Sequence, residues 1–153
     1  MIFGKINSSE DIPFCLQVYR NNYDIKKFND DYVSLYKILV NLSPISNTYK
    51  SGCIVIKKQK EIIGFGCYHT SFMDYNIYEI DWINIKKEYQ HQGMGIKLIK
   101  KIEKEIIKNH WDKKEILLLL VTDKTNFYSQ IGFNPLIQQK DEFYVMMKRI
   151  KSK

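Results

Sequence analysis

Arginine is nearly missing from this chain: Arg20 and Arg149 stand among 24 basic residues, against 17 carboxylates, for a net charge of +7. A basic balance invites a nucleic-acid reading. The guanidinium fork, however, is the usual reader of phosphates and base edges, and the lysines are spread through a chain rich in Lys, Ile and Asn. No nucleic-acid partner is expected, although a diffuse positive field still attracts a small anionic ligand. Cysteine is scarce as well. Cys15, Cys53 and Cys67 are odd in number, lie in apolar contexts and form no CxxC, so they read as buried free thiols of a reducing cytoplasm. No apolar run approaches the ~20 residues of a membrane span, and Met1–Ile6 is too short for a signal peptide and has no cleavage site. A cytoplasmic protein with no membrane partner is the expectation. His69, His91 and His110 are far apart, with neither HxxxH nor a His–Cys pair, and no metal is expected on that spacing. The Walker ending, the Gly-x-Ser-x-Gly elbow and the third glycine of a dinucleotide-binding turn are also missing.

What is present suits one domain spanning residues 1–153, with 44% apolar residues for a single core. Residues 2–6 alternate weakly, as an edge strand does. Ser8-Ser9-Glu10-Asp11 reads as a helix start, with Pro13 tolerated in the first turn and the pattern running to about Asn21. Asn29-Asp30-Asp31 starts a second helix over Tyr32, Leu35, Tyr36, Leu39 and Val40. Ser43-Pro44 ends it, and residues 41–50 read as a loop. Strands follow at 53–56 and 62–68, split by a hairpin turn over Lys57–Glu61, with Gly64 and Gly66 marking a bulge or a close backbone approach. Asp74-Tyr75-Asn76 is another turn, and Ile77–Ile85 the next strand. After Gly95 a helix carries Leu98, Ile99, Ile102 and Ile106 on one side and Lys97, Lys101, Lys104 and Lys108 on the other, with Glu103 falling inside the apolar arc. Ile116–Val121 reads as a strand buried on both faces. A short helix over Lys124–Ile131, closed by Gly132, leads to a closing strand pair at 133–137 and 142–149. The order is βααβββαβαββ, without repeat or linker.

The stretch Ile83 to Ile96 organises this order. A strand ends, a polar turn carries Gly93 and Gly95, and a long helix begins. Unpaired N–H groups and the helix dipole gather at such a start, and glycines let an anion lie against the main chain. The pattern Gln90-x-x-Gly93-x-Gly95, joined to Asn126-Phe127-Tyr128-x-x-x-Gly132-Phe133 downstream, resembles the Gcn5-related N-acetyltransferase (GNAT) family over roughly residues 50 to 149. The resemblance implies an α/β (α+β) acyl-CoA N-acyltransferase fold with a mixed central sheet. It implies acetyl-CoA as cosubstrate and a primary amine as acceptor, attacked directly in a ternary complex. A non-catalytic acyl-CoA-binding or regulatory domain of the same fold is the alternative.

Carried onto this sequence, the resemblance puts the pyrophosphate on the loop of Gln90, His91, Gln92, Gly93, Met94, Gly95 and Ile96. The pantetheine arm then runs beside Ile83 and Ile85, with Asn126 contacting it. His91 and Gln92 depart mildly from the commoner residues, and Lys87 stands where many members have proline. Strand alternation sets Glu79 and Asp81 on one face with Ile83 and Ile85, and Ile80, Trp82 and Asn84 on the other. Glu79 matches the general base of histone-modifying relatives, and burial would raise its pKa toward that task. Asp81 or a water remains open for the same role. Tyr128 matches the tyrosine that protonates the leaving thiolate. Tyr19, Tyr23, Asp24, Asp30, Asp31, Tyr32 and Tyr36 gather where the family shapes its acceptor site, and suit a cationic amine. A polyamine, amino sugar, amino acid or protein amine all stay open. The closing strands could pair between subunits as a homodimer.

Overall fold

The structure, a computed structural model, describes residues 1–6, 8–24, 26–27, 29–40, 50–110, 112 and 114–152. Its elements are β1 (Ile2–Lys5), α1 (Ser8–Asn22), α2 (Asn29–Val40), β2 (Ser51–Lys58), β3 (Glu61–Thr70), β4 (Ile77–Ile85), α3 (Met94–Asn109), β5 (Glu115–Thr122), α4 (Thr125–Ser129), β6 (Asn134–Gln138) and β7 (Tyr144–Lys151). The order matches the sequence reading. The end of the second helix at Ser43-Pro44 and the loop at 41–49 lie outside the described residues. Pro13 sits in the second turn of α1, one turn later than expected, because the helix already begins at Ser8.

Seven strands form one sheet in the order β1-β2-β3-β4-β5-β7-β6, antiparallel everywhere except between β4 and β5. A mixed sheet of this kind needs cover on its central faces, and the helices supply it. On one side α3 sets Leu98, Ile99, Ile102 and Ile106 against Ile54, Ile56, Ile63, Tyr78, Ile80, Ile116 and Leu118. Glycine lets the layers approach: a Cβ at Gly66 would lie 2.5 Å from Ile83 Cδ1 and 2.9 Å from Ile102 Cδ1. Glu103 is accounted for by a partner 45 residues away, since Lys148 Nζ of β7 donates to its Oε1 at 2.6 Å. The lysine stripe is solvated. On the other side, α1 and α2 pack Leu16, Val18, Tyr19, Leu35 and Leu39 on Cys53, Val55, Phe65 and Cys67. All three cysteines are free and buried there. The Cys15 thiol is pushed up by its contact with Cys53 and by burial, so it stays protonated.

One strand differs from its expected burial. Ile116, Leu118 and Leu120 are buried, but Leu117 and Leu119 are only half-covered and Val121 is 53% exposed. The cause is the reach of the helices: α1 packs on β3 and β4, leaving that face of β5 without the cover a doubly buried strand requires.

Candidate functional site

The centre of the molecule is a defect in β4. Cys67 pairs with Asp81, and the next recorded pair joins Phe65 to Asn84, so β3 advances two residues while β4 advances three. The extra residue is a bulge, and Trp82 takes a φ of 58° within it. Such a φ is unfavourable for a bulky aromatic side chain. The Tyr19 ring meets the indole in a T-shaped contact, with centroids 5.7 Å apart, and helps hold it in place.

The bulge corrects the expected alternation. Up to Asp81 the strand alternates, with Tyr78 and Ile80 toward α3 and Glu79 opposite His69 on the other face. Beyond the bulge the phase is reversed. Ile83 and Ile85 turn to the α3 side, while Trp82 packs with the α1/α2 core and Asn84 meets Asn22 of α1 at 3.2 Å. Ile83 and Ile85 therefore do not share a face with Glu79 and Asp81, because one inserted residue flips every side chain after it.

The same bulge parts two strands. β4 and β5 pair in parallel only from Ile77–Leu117 to Glu79–Leu119, although both continue beyond. A cleft of about 150 Å³ opens between them, lined by Glu79, Asp81, Leu119, Leu120, Val121 and Val145. Its two carboxylates are 42% and 38% exposed at their side chains. The burial expected of Glu79 is not met, because no helix among the described residues closes over this opening.

At the far end of β4 the chain turns through a short 3₁₀ segment, Lys87–Tyr89, into α3. Gln90 Nε2 reaches back to the Ile85 carbonyl at 2.8 Å, and Gln92 Nε2 to the Glu88 carbonyl at 2.8 Å. Both amides thus brace the loop. Gly93 precedes α3 with φ 74° and no side-chain cap, and the first turn of α3 holds no acidic residue. A Cβ at Gly93 would meet nothing within 4 Å, so the space against this helix start is open. Met94 is buried, whereas His91 and Gln92 are exposed and Gly95 and Ile96 partly covered. Asn22 Nδ2 donates to the Ile85 carbonyl at 3.0 Å, and its Oδ1 is buried without a partner among the described residues. The loop therefore offers an open helix start and α1 a buried spare acceptor beside the end of β4, features a ligand with phosphates and amide N–H groups would satisfy.

α4 closes the other side. Its Phe127 ring lies 3.1 Å from where a Gly95 Cβ would stand, tying α4 to the first turn of α3. Tyr128 is buried between Phe127 and Phe133. Burial, then Tyr23 and Asp123, raise its phenol above the usual tyrosine range, so it holds its proton at neutral pH. Gly132 follows α4 at φ 93°, and the Phe133 N–H donates to the Tyr128 carbonyl. Asn126 sits on an exposed face of the same helix.

The acceptor-side residues divide. Tyr19 stacks on Tyr23 at 4.8 Å and tilts against Tyr32 at 6.3 Å, and burial pushes its phenol to about 12. Asp30 and Asp31 lie exposed in the first turn of α2, where carboxylates complement the helix dipole. Asp24 caps the Lys26 N–H, and Tyr36 is largely exposed.

Sequence spacing missed His69. It lies directly across from Glu79 in the β3–β4 ladder and diagonal to Asp81, with Nε2 3.1 Å from Asp81 Oδ2 and 3.6 Å from Glu79 Oε2. The imidazole nitrogen and the two carboxylate oxygens fall within 4.8 Å of one another. Linear distance between histidines says nothing about cross-strand neighbours. The turn at 74–76 carried the signal, since it folds residue 69 back onto 79.

Residues 49–135 match the family model of the acetyltransferase (GNAT) domain. Among curated proteins none matches the chain in sequence. In fold it is similar to a GNAT-family protein from Desulfovibrio desulfuricans, with TM-score 0.78 and 14% identity over 99% of both chains. It is also similar to the PaiA N-acetyltransferase of Thermoplasma acidophilum, solved in complex with coenzyme A (TM-score 0.74, 19% identity, 98% of this chain and 100% of that one). A third likeness is to aminoglycoside 6'-acetyltransferase type Ii (TM-score 0.76, 14% identity, 97% and 96%).

Proposed function

This chain belongs to the GNAT acetyltransferase family, and from that premise we propose that it transfers the acetyl group of acetyl-CoA to a primary amine. The observation that carries the reading is the cleft where β4 and β5 part, with two carboxylates on its wall and an open helix start beyond its end. The pyrophosphate is held by the main chain of residues 92–96, with Gln90 and Gln92 keeping the loop in shape. The pantetheine arm lies along β4 past the bulge, beside Ile83 and Ile85. Asn22 Oδ1 serves as an acceptor for an amide N–H, and Asn126 borders the arm from α4.

An ammonium cannot attack a thioester. A proton first passes from its nitrogen to Glu79, directly or through water, and the free lone pair adds to the thioester carbonyl. As the C–S bond breaks, the thiolate takes the proton that Tyr128 holds. The second proton leaving nitrogen passes to solvent, and the one held by Glu79 returns through water to the Tyr128 phenolate. Both side chains are thus restored, and an amide, a thiol and one released proton balance the starting ammonium and thioester. Direct attack in a ternary complex is favoured over an acyl-enzyme, because all three cysteines are buried under α1 and α2. The fold likenesses include a coenzyme A complex, which supports acyl-CoA as the donor. No helix of the described residues is long and apolar enough to cross a membrane.

Thermal unfolding with acetyl-CoA, followed by a thiol-release screen, tests the reading. At ~100 times its dissociation constant the ligand adds about 2.7 kcal/mol to the folded state. The screen covers alkyl diamines, amino sugars, amino acids and peptide amines. An unmoved melting temperature at millimolar acetyl-CoA would sink the proposal.

A further inference from the structure

Both ring nitrogens of His69 face acceptors. Nδ1 lies 3.0 Å from the Thr70 carbonyl oxygen, which can only accept. Nε2 lies 3.1 Å from Asp81 Oδ2 and 3.6 Å from Glu79 Oε2. A neutral imidazole carries one hydrogen and leaves the other nitrogen as an acceptor. Set against a carbonyl on one side and carboxylates on the other, that lone pair would confront an acceptor whichever tautomer is chosen. The arrangement is satisfied when the ring carries both hydrogens.

Resting on the acetyltransfer reading above, we propose that His69 is a positioning residue of the acceptor site: as an imidazolium it pins Asp81 and offsets its charge, leaving Glu79 the carboxylate that accepts the proton from the incoming ammonium. Two carboxylates two residues apart on one strand repel each other, and a cation set between them offsets that repulsion. The imidazolium removes that conflict and leaves the cluster with one net negative charge, enough to attract a single ammonium group.

The groups acting on His69 are Asp81 and Glu79 of β4 and the Thr70 carbonyl of its own strand, while β2 faces it with Ser51, which does not titrate. Its hydrogen bond with Asp81 raises it, burial opposes, and the Thr70 carbonyl and both carboxylate charges add, for a value of about 8. Asp81 and Glu79 thus take different parts: Asp81 is hydrogen-bonded to the ring, and Glu79 stands 0.5 Å farther from it.

The test uses the full chain with isotope-labelled histidine, the His69 signal being assigned by its absence from His69→Gln. Its imidazole should titrate above pH 7 in the wild type, and at least about one unit lower in Asp81→Asn. Titration at or below 6.5, or no response to Asp81→Asn, overturns the proposal. The second arm follows thiol release with the most active amine of the screen. Glu79→Gln should lose about a hundredfold in kcat, while Asp81→Asn raises KM for the amine more than it lowers kcat. Wild-type kcat should fall as pH rises through about 8, a limb that His69→Gln should lack, with affinity for acetyl-CoA unchanged. A limb shared by both proteins, or kcat that rises with loss of the His69 proton, would mean a structural residue or a base in its place. Silence from every amine would remove the acetyltransfer reading, and the proposal with it, while the NMR titration still reports the protonation of His69.

Discussion

The two faces of β4 are built for different ends. Toward α3 the strand sets Tyr78, Ile80, Ile83 and Ile85 against isoleucines and leucines that exclude water. Toward α1 and α2 it carries Glu79, Asp81, Trp82 and Asn84, with histidine, asparagine and cysteine nearby. The first face follows pattern rules without exception once the bulge is counted. The second breaks them with half-exposed charge, an aromatic residue at positive φ and, on the facing α1, a buried acceptor unpaired among the described residues. Departures of this kind persist where surrounding packing over-determines them, and here the α3 face supplies that packing. Stability and chemistry are therefore separable across one strand.

The largest break in this comparison comes from the packed face. Ile102 is fully buried against the sheet, and Ile102→Ala should cost about 2–5 kcal/mol in chemical denaturation. Where the variant remains folded it should bind acetyl-CoA as the wild type does. A comparable loss of cofactor affinity in folded protein would show that the faces are not independent. Next in size is Gly93→Val. Valine at a φ of 74° is strained, and its side chain enters the open space before α3. A rise of about tenfold or more in the acetyl-CoA dissociation constant is expected, with the strain itself costing about 1–3 kcal/mol of stability. Calorimetry that found normal affinity would remove the loop from cofactor binding.

Tyr128→Phe comes third and sharpens the contrast, because Tyr128 is buried with aromatic neighbours and yet is assigned chemistry. Loss of the hydroxyl should lower kcat about tenfold or more while leaving acetyl-CoA affinity nearly unchanged. An unaltered rate would return Tyr128 to the core. Its motif was legible through the family resemblance, and the order of elements and the apolar arc of α3 were legible because periodicities of 3.6 and 2 report burial directly. The bulge was legible only as an alternative on the neighbouring strand: Gly64 and Gly66 mark a bulge or a close approach in β3, whereas the extra residue lies opposite Gly66, in β4. Alternation through Glu79–Ile85 looks regular, and only the β3 register shows three residues opposite two. Lys148 as the partner of Glu103 was invisible for a similar reason, since 45 residues of chain separate them. His69 lay between these cases. The turn at 74–76 is visible in the sequence, whereas the pairing of His69 with Glu79 depends on the register that follows it.

The smallest effect separates two histidines that sit in opposite surroundings. His110, at the end of α3, bonds the Tyr78 hydroxyl at 3.1 Å and the Asn76 amide oxygen at 3.1 Å. Burial lowers it below the ordinary histidine value, with Asp112 opposing. Below about pH 6.5 the unfolded chain takes up a proton at His110 before the folded chain does, so its contribution to stability falls with falling pH. His69 has the reverse sign. Its folded value of about 8 lies above the unfolded one, so its contribution is fully present below about 6.5 and is lost as pH rises through 8. The two limbs meet near the ordinary histidine value. In melting temperature against pH, the difference between wild type and His69→Gln should therefore shrink between about pH 6.5 and 8.5, whereas the difference between wild type and His110→Gln should shrink on the acid side. Equal differences at every pH would mean that neither proton is linked to folding, and that the imidazolium at the acceptor site is held no more tightly than in the unfolded chain.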